Sequence, residues 1–401
     1  VSDRTKILAS ALVRAIATGM VGVELGLFLG ARGLPPGMIG VVVGSGLAGC
    51  AAAAFLATRW ADAHGRRRFL AEIAIAGAAG CAALLLAKHP LWLAAAAFFG
   101  MVNGMGRDRG ASLIVEQAIL PSIVTNRERT RTIAWYNVLQ DAGHALGALL
   151  VAVPSRIVNQ GGQPLDAHGA AMLLAAALLL PTLFLARSLS PTVETHSQSR
   201  ALPLTAETKS RLTRIAALFA LDSLGGGFLT TALLSYFFFE RFHVTASTIG
   251  LLFFGARVLN ALSHLGAAWL ARRIGLVNTM VFTHIPSSVL LITVAFAPSF
   301  PVAAFLFLLR EGLVEMDVPT RQSYVLAVVQ PHERTVASGI TNLVRMGAWA
   351  IGPLIAGALM EGRALMLPLV VGALLKITYD ILLYRAFRSV RPPEETTPAP
   401  A

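Results

Sequence analysis

ERTRTIAWYNVLQDAGHALGALL, Glu128 to Leu150, is echoed later in the chain by ERTVASGITNLVRMGAWAIGPLI, Glu333 to Ile355. Aligned without gaps, the copies share Glu128/Glu333, Arg129/Arg334, Thr130/Thr335, Asn137/Asn342 and Gly147/Gly352. A fainter echo pairs TRWADAHGRRR, from Thr58, with AWLARRIGLVN, from Ala268. Both copies run in the same direction, from a charged end into an apolar segment. A chain duplicated in this way makes two like halves, an architecture found among membrane transporters.

Outward from the repeat, the composition sets the solvent. Of 401 residues, 55% are hydrophobic and only 13% charged, where a soluble domain carries about 25% charge. The mean hydropathy is +0.67. Apolar runs long enough to cross a hydrocarbon core of about 30 Å recur along the chain, and the short alternating segments of a barrel are missing. The expected class is an all-α membrane protein with twelve spans, near 7–30, 37–58, 69–87, 91–118, 132–154, 168–187, 213–239, 247–268, 277–297, 301–329, 336–360 and 364–387. A polar, Ser/Thr-rich stretch divides them. The expected domains are a six-helix bundle over 1–188, a cytoplasmic linker over 189–212, a second six-helix bundle over 213–388 and a disordered tail over 389–401.

The net charge of +12 belongs to topology rather than to nucleic acid. Arg66, Arg67, Arg68, Arg127, Arg129, Arg131, Arg272, Arg273 and Arg334 fall in alternate loops, and Arg4, Lys6, Arg385 and Arg388 in the ends. By the positive-inside rule both termini are expected in the cytoplasm, and the chain in the inner (plasma) membrane. The opening VSDRTKILAS has no signal-peptide pattern. Cys50 and Cys81 both lie in apolar spans, with neither metal spacing nor a disulfide framework. No Walker A run and no Ser-His-Asp constellation is readable. The expectation is therefore no metal, no cofactor and no enzyme, with the proton gradient as energy source.

RWADAHGRRR, after the second span, resembles the signature of the major facilitator superfamily. Asp62, Gly65, Arg66 and Arg67 stand at its Asp-x-x-Gly-Arg-Arg positions, and Thr58 replaces its first glycine. The resemblance covers the whole chain in span number, linker and duplication. It implies two pseudo-symmetric six-helix bundles around a central cavity, with spans 1, 4, 7 and 10 lining it and 3, 6, 9 and 12 facing lipid. It also implies that Asp62, Gly65, Arg66 and Arg67 form a conformational latch between the halves. A further resemblance, to the bacterial 12-helix drug:proton antiporter branch, rests on Gly143 and Gly147 in span 5, with His144 where that branch has proline and Asn103 near its span-4 arginine.

Ionisable groups are costly in hydrocarbon and mark functional pathways by default. Glu311 and Glu315 sit four residues apart on one helical face, where two carboxylates cannot both ionise cheaply. With Asp108, Asp222 and Glu24 they are the proton-coupling candidates. Arg107, Arg310, Arg257, Asp317, Arg321, Asn103, Asp141, His144 and His264 are the candidates for substrate contacts or counter-charges. An ion-pair network tying spans 4 and 10 together is the plainer use of the same groups. The glycines Gly225 to Gly227 loosen span 7 after Asp222, and the run YFFFERF, from Tyr236, reads as an interfacial anchor. The expected function is proton-coupled export of a small organic molecule by alternating access. The alternatives are proton-linked transport of an organic anion and a non-transporting receptor on the same fold. The expected partners are a small-molecule substrate, protons and the lipid bilayer, with no nucleic acid and a monomeric chain.

Overall fold

The computed structural model describes residues 2–108, 110–194, 206–316, 334–361 and 364–387, and every regular element in them is helical. The first half comprises α1 (Asp3–Ala31), α2 (Pro36–His64), α3 (Arg66–Leu86), α4 (Pro90–Phe99), α5 (Ala111–Ile119), α6 (Asn126–Leu150), α7 (Ala152–Asn159) and α8 (Pro164–Arg187). The second comprises α9 (Ala206–Gly227), α10 (Thr231–Phe242), α11 (Ala246–Ile274), α12 (Leu276–Ala295), α13 (Phe300–Val314), α14 (Arg334–Met360) and α15 (Leu367–Phe387). In the first half α1 packs on α6 and α8, and in the second α9 packs on α14 and α15. The halves meet chiefly through α2 with α14, α6 with α11 and α1 with α10.

The repeated glycines explain why the two copies fold alike. A Cβ on Gly147 would collide with the α1 backbone at Ile16 and Met20; one on Gly352 would collide with the α9 backbone at Leu224 and Gly227. Each copy therefore lays its helix directly on the first helix of its own half, an approach only small residues permit.

Nine helical stretches among the described residues are long and apolar enough to cross a membrane. Expected spans 4, 5 and 10 are not among them, and these three carry dense charge. Span 4 is not the continuous helix expected over 91–118. It splits into α4 and α5, joined by a non-helical crossing from Gly100 to Gly110. Four glycines weaken a helix there by roughly 1 kcal/mol each relative to alanine, and Met101 and Gly106 take φ of 51° and 65°, which no right-handed helix contains. Span 7 stops after Gly225–Gly227 and restarts at Thr231, whose helix is capped by the Thr230 hydroxyl accepting from Leu233 N. Span 10 is described as far as Met316; the rest of the expected 301–329 span lies outside the described residues.

The aromatic run of α10 corrects the expectation of an anchor. Phe237 and Phe238 are fully buried. The Phe238 ring lies 5.5 Å from that of Phe307 and 6.1 Å from that of Phe300. The first part of the run packs inward against α1 and α13, while Phe239 and Arg241 are exposed.

Candidate functional site

The two interrupted spans meet. Gly104 O, freed from helical bonding, accepts from Ala232 N at 3.0 Å. Met105 O accepts from the Thr231 hydroxyl at 2.8 Å and from an Arg257 Nη2 at 3.4 Å, and the same nitrogen donates to Thr231 Oγ1 at 3.2 Å. Asn103, a candidate for substrate contact or counter-charge, shapes the crossing: its amide donates to Arg107 O at 2.6 Å and its carbonyl accepts from Met105 N at 2.9 Å. Irregular backbone survives at this depth because protein groups satisfy it. Gly106 completes the junction, since a Cβ there would come within 3.3 Å of both Thr231 and the Arg257 guanidinium.

A cavity of about 120 Å³ opens beside this junction. Arg107, Arg257, Arg310, Arg345 and Lys376 line it, against Asp222, Glu311 and Glu315. Arg107 pairs with Glu315 at 2.7 Å, Arg310 with Glu311, and Lys376 with Asp222 at 2.8 Å. Asn260 adds a second donor to Glu311 at 2.9 Å. Glu311 and Glu315 therefore face one cavity with separate arginines, and the pairing of spans 4 and 10 runs through Arg107 and Glu315. Arg257 differs. Among the described residues its guanidinium meets only the neutral oxygens of Met105 and Thr231.

On the far wall a second network joins α9, α12 and α15. His284 Nδ1 bonds the Asp380 carboxylate at 3.0 Å, and Lys376 Nζ stands 3.5 Å from His284 Nε2 while bonding Asp222. Arg345 lies 3.9 Å from Asp222, donates to Ser223 at 3.1 Å and covers the Trp349 ring at 4.8 Å. Asp380 is fully buried and His284 nearly so. Sequence reasoning missed His284, Lys376 and Asp380 because spans 9 and 12 were expected to face lipid. The signal was present: Lys376 and Asp380 lie four apart, on one face of an otherwise apolar helix.

A third network lies wholly in the first half. Arg14 bonds Asp108 at 2.5 Å through Nε and Glu116 at 2.7 and 2.5 Å through its two terminal nitrogens. Tyr136 donates to Glu116 at 2.7 Å, and His144 Nε2 accepts from Asp108 N at 2.9 Å. Asp108 and His144 are thus brought together just before α5, and Arg14, Asp108 and Asn103 also line a second cavity, of about 90 Å³, within the first half. Glu24 pairs with His168 of α8, both buried. Asp141 is exposed, and His264 is half-buried with no side-chain hydrogen bond among the described residues. Asp317 and Arg321 lie outside the described residues.

The residues of the expected latch, Asp62, Gly65, Arg66 and Arg67, lie together around the α2–α3 turn. Among the described residues Asp62 bonds Arg66 at 2.7 Å, one turn away in the same half. The N-terminus of α3 is capped by Glu194, which accepts from Arg66 N at 2.6 Å and Arg67 N at 3.2 Å. Gly65 joins α2 to α3 at φ 96°. At the opposite end a carboxylate does cross between the halves: Glu361 accepts from Gly37 N at 3.1 Å, in the first turn of α2. No group of three or more His, Cys, Asp and Glu among the described residues is placed to hold a metal ion.

The fold has known counterparts. A mutant of the nucleoside transporter NupG superposes with a TM-score of 0.78 at 14% identity, covering 96% of this chain and 100% of that one. An inward-facing, occupied bacterial homologue of the human lysosomal transporter Spinster gives 0.75 at 14% identity over 99% and 98%. The xylose transporter XylE from E. coli gives 0.71 at 12% identity over 98% and 99%. At these identities the likeness is one of fold. In sequence, an uncharacterized membrane protein of Saccharomyces cerevisiae is 26% identical over 95% of this chain and 93% of its own length. The model of the Major Facilitator Superfamily matches residues 7–353 and 215–401. The chain belongs to the Major Facilitator Superfamily.

Proposed function

We propose that the chain is a proton-linked secondary transporter that carries a small organic anion through the cavity between its halves by alternating access. The observation that supports this reading is the charge of the cavity wall. Five cationic side chains face three carboxylates there, each carboxylate has its own cation, and among the described residues the hydrogen bonds of the Arg257 guanidinium go to neutral acceptors. A guanidinium in a poorly solvated cavity favours an anionic ligand, which it binds through a planar fork of donors. The Thr231 hydroxyl beside it supplies a further polar contact. The protein would sit in the inner membrane with both ends in the cytoplasm, in line with its loop arginines.

A second reading, export of a small organic molecule in exchange for protons, has one observation in its favour. Gly143 and Gly147 both press on the α1 backbone, as the span-5 glycines of the drug:proton antiporter branch require. One experiment separates the two. Purified protein is reconstituted in liposomes containing a pH-sensitive dye and offered benzoate, phenyl phosphate, a neutral sugar and a quaternary ammonium dye. Proton movement with the two anions only, lost in Arg257→Gln, is the expected result. Movement with the cationic dye, abolished in Glu311→Gln or Glu315→Gln, would favour export instead. Binding without flux would make the protein a receptor.

A further inference from the structure

We infer that His284 is a proton-binding site on the cavity wall whose protonation and anion binding favour one another, so that a proton and an anion cross together. The inference rests on the anion reading of the cavity and supplies its coupling.

Geometry assigns the tautomer. The Asp380 carboxylate only accepts, so the hydrogen of neutral His284 sits on Nδ1, facing it at 3.0 Å. Nε2 then carries the lone pair and faces the cavity, where Lys376 Nζ stands 3.5 Å away. Asp380 lies behind His284, away from the cavity lining, and holds the ring as a positioning group. The charged and titratable groups around His284 come from every neighbouring element. Asp222 on α9 is 3.9 Å from Nε2, and Lys376, Asp380 and the T-stacked Tyr379 lie on α15. Arg345 on α14, Arg257 on α11, Arg310 and Glu311 on α13, Glu315 just after it and Arg107 of the span-4 crossing complete the charged cavity wall.

A proton on Nε2 replaces an acceptor by a cation. Lys376 can no longer donate to the ring and is left to Asp222 alone. Asp222, fully engaged by Lys376, then holds Arg345 less, and the cavity as a whole gains one positive charge. An anion entering between Arg257 and Arg345 is bound more tightly for it. By linkage, a bound anion raises the proton affinity of His284 by the same factor. The two ligands thus load and leave together. The Glu311 and Glu315 pairs need not titrate for this to happen.

The test uses full-length protein in nanodiscs with 15N-labelled histidine. The His284 signal is assigned by its loss in His284→Gln or, should that variant not fold, by its shift in Asp380→Asn. The expected result is a change from the Nδ1–H form to imidazolium between pH 5 and 9. Benzoate or phenyl phosphate should move the midpoint to higher pH. Asp380→Asn should move it down by about one unit or more, because an opposite charge beside the ring is lost. A His284 that keeps one form across the range overturns the inference. So does a midpoint that a bound probe leaves unmoved or lowers. Should neither probe bind at all, in a direct binding measurement, the anion reading itself fails and the linkage with it.

Discussion

At the scale of single residues, charges in this protein divide into those that hold the fold and those that face the cavity. Arg14 belongs to the first kind. It is buried, and it is the cation that both Asp108 and Glu116 bond directly. Arg14→Gln leaves two carboxylates buried with one cation too few, a defect of about 3–5 kcal/mol. Thermal unfolding in detergent should show a large fall in midpoint, smaller in Arg14→Lys, which keeps the charge and loses the fork. Arg257 belongs to the second kind. Charged hydrogen bonds contribute about 1.5–3 kcal/mol, so Arg257→Gln should weaken benzoate binding by about tenfold or more. Arg257→Lys should fall between it and the parent. Equilibrium binding in nanodiscs measures both, and unchanged affinity in Arg257→Gln would refute the assignment.

At the scale of elements, the decisive feature is the break in span 4. The crossing from Gly100 to Gly110 delivers Gly104 O and Met105 O to α10 and Arg257, contacts an unbroken helix would have spent on itself. Gly106 holds the turn at φ 65°. Gly106→Ala costs about 1–2 kcal/mol in backbone strain and puts a methyl against Thr231 and Arg257. Transport of the anionic probe should drop by tenfold or more while the protein remains folded, as judged by size-exclusion and melting. A full-rate Gly106→Ala would mean that the junction tolerates displacement and does not position Arg257. The break was only partly legible beforehand. The glycines were visible, but hydropathy averages over a window and reads a polar crossing flanked by apolar turns as one span.

At the scale of the whole molecule, the halves are closed on each other at the end that holds the α1–α2 turn. Gly37, Gly40 and Gly44 of α2 face Glu361, Gly357 and Leu354 of α14 or the turn after it. Alternating access requires this end to open. In a protein with Cys50 and Cys81 replaced by serine, Gly44→Cys combined with Leu354→Cys should crosslink on oxidation, because a Cβ at Gly44 touches the Leu354 side chain. Transport should stop in the oxidised protein and return on reduction. Continued flux in the crosslinked protein would exclude opening at this end. Glu361→Gln removes a carboxylate from the N-terminus of α2, where it favours the closed end by about 0.3–1 kcal/mol. It should make the oxidation of that cysteine pair several-fold slower.

The sequence by itself determined the solvent, the number of halves and the family. These follow from apolar run length, from a repeat legible in aligned identities, and from a short charged motif, all of which are local along the chain. It also placed Arg107, Arg257, Arg310, Glu311, Glu315 and Asp222 among the groups to watch, because charge in hydrocarbon stands out at any single position. Only the tertiary structure decided which of them meet. Glu311 and Glu315 share a helical face yet have separate arginines; Asp108 and His144 come together away from the cavity between the halves; among the described residues Asp62 pairs within its own half. Lys376 and Asp380 were legible as charges four apart, but that they meet His284 and Asp222 was decided by packing in the same way. A pair energy depends on the distance between side chains from different helices, and that distance is set by packing between the helices rather than by order along the chain.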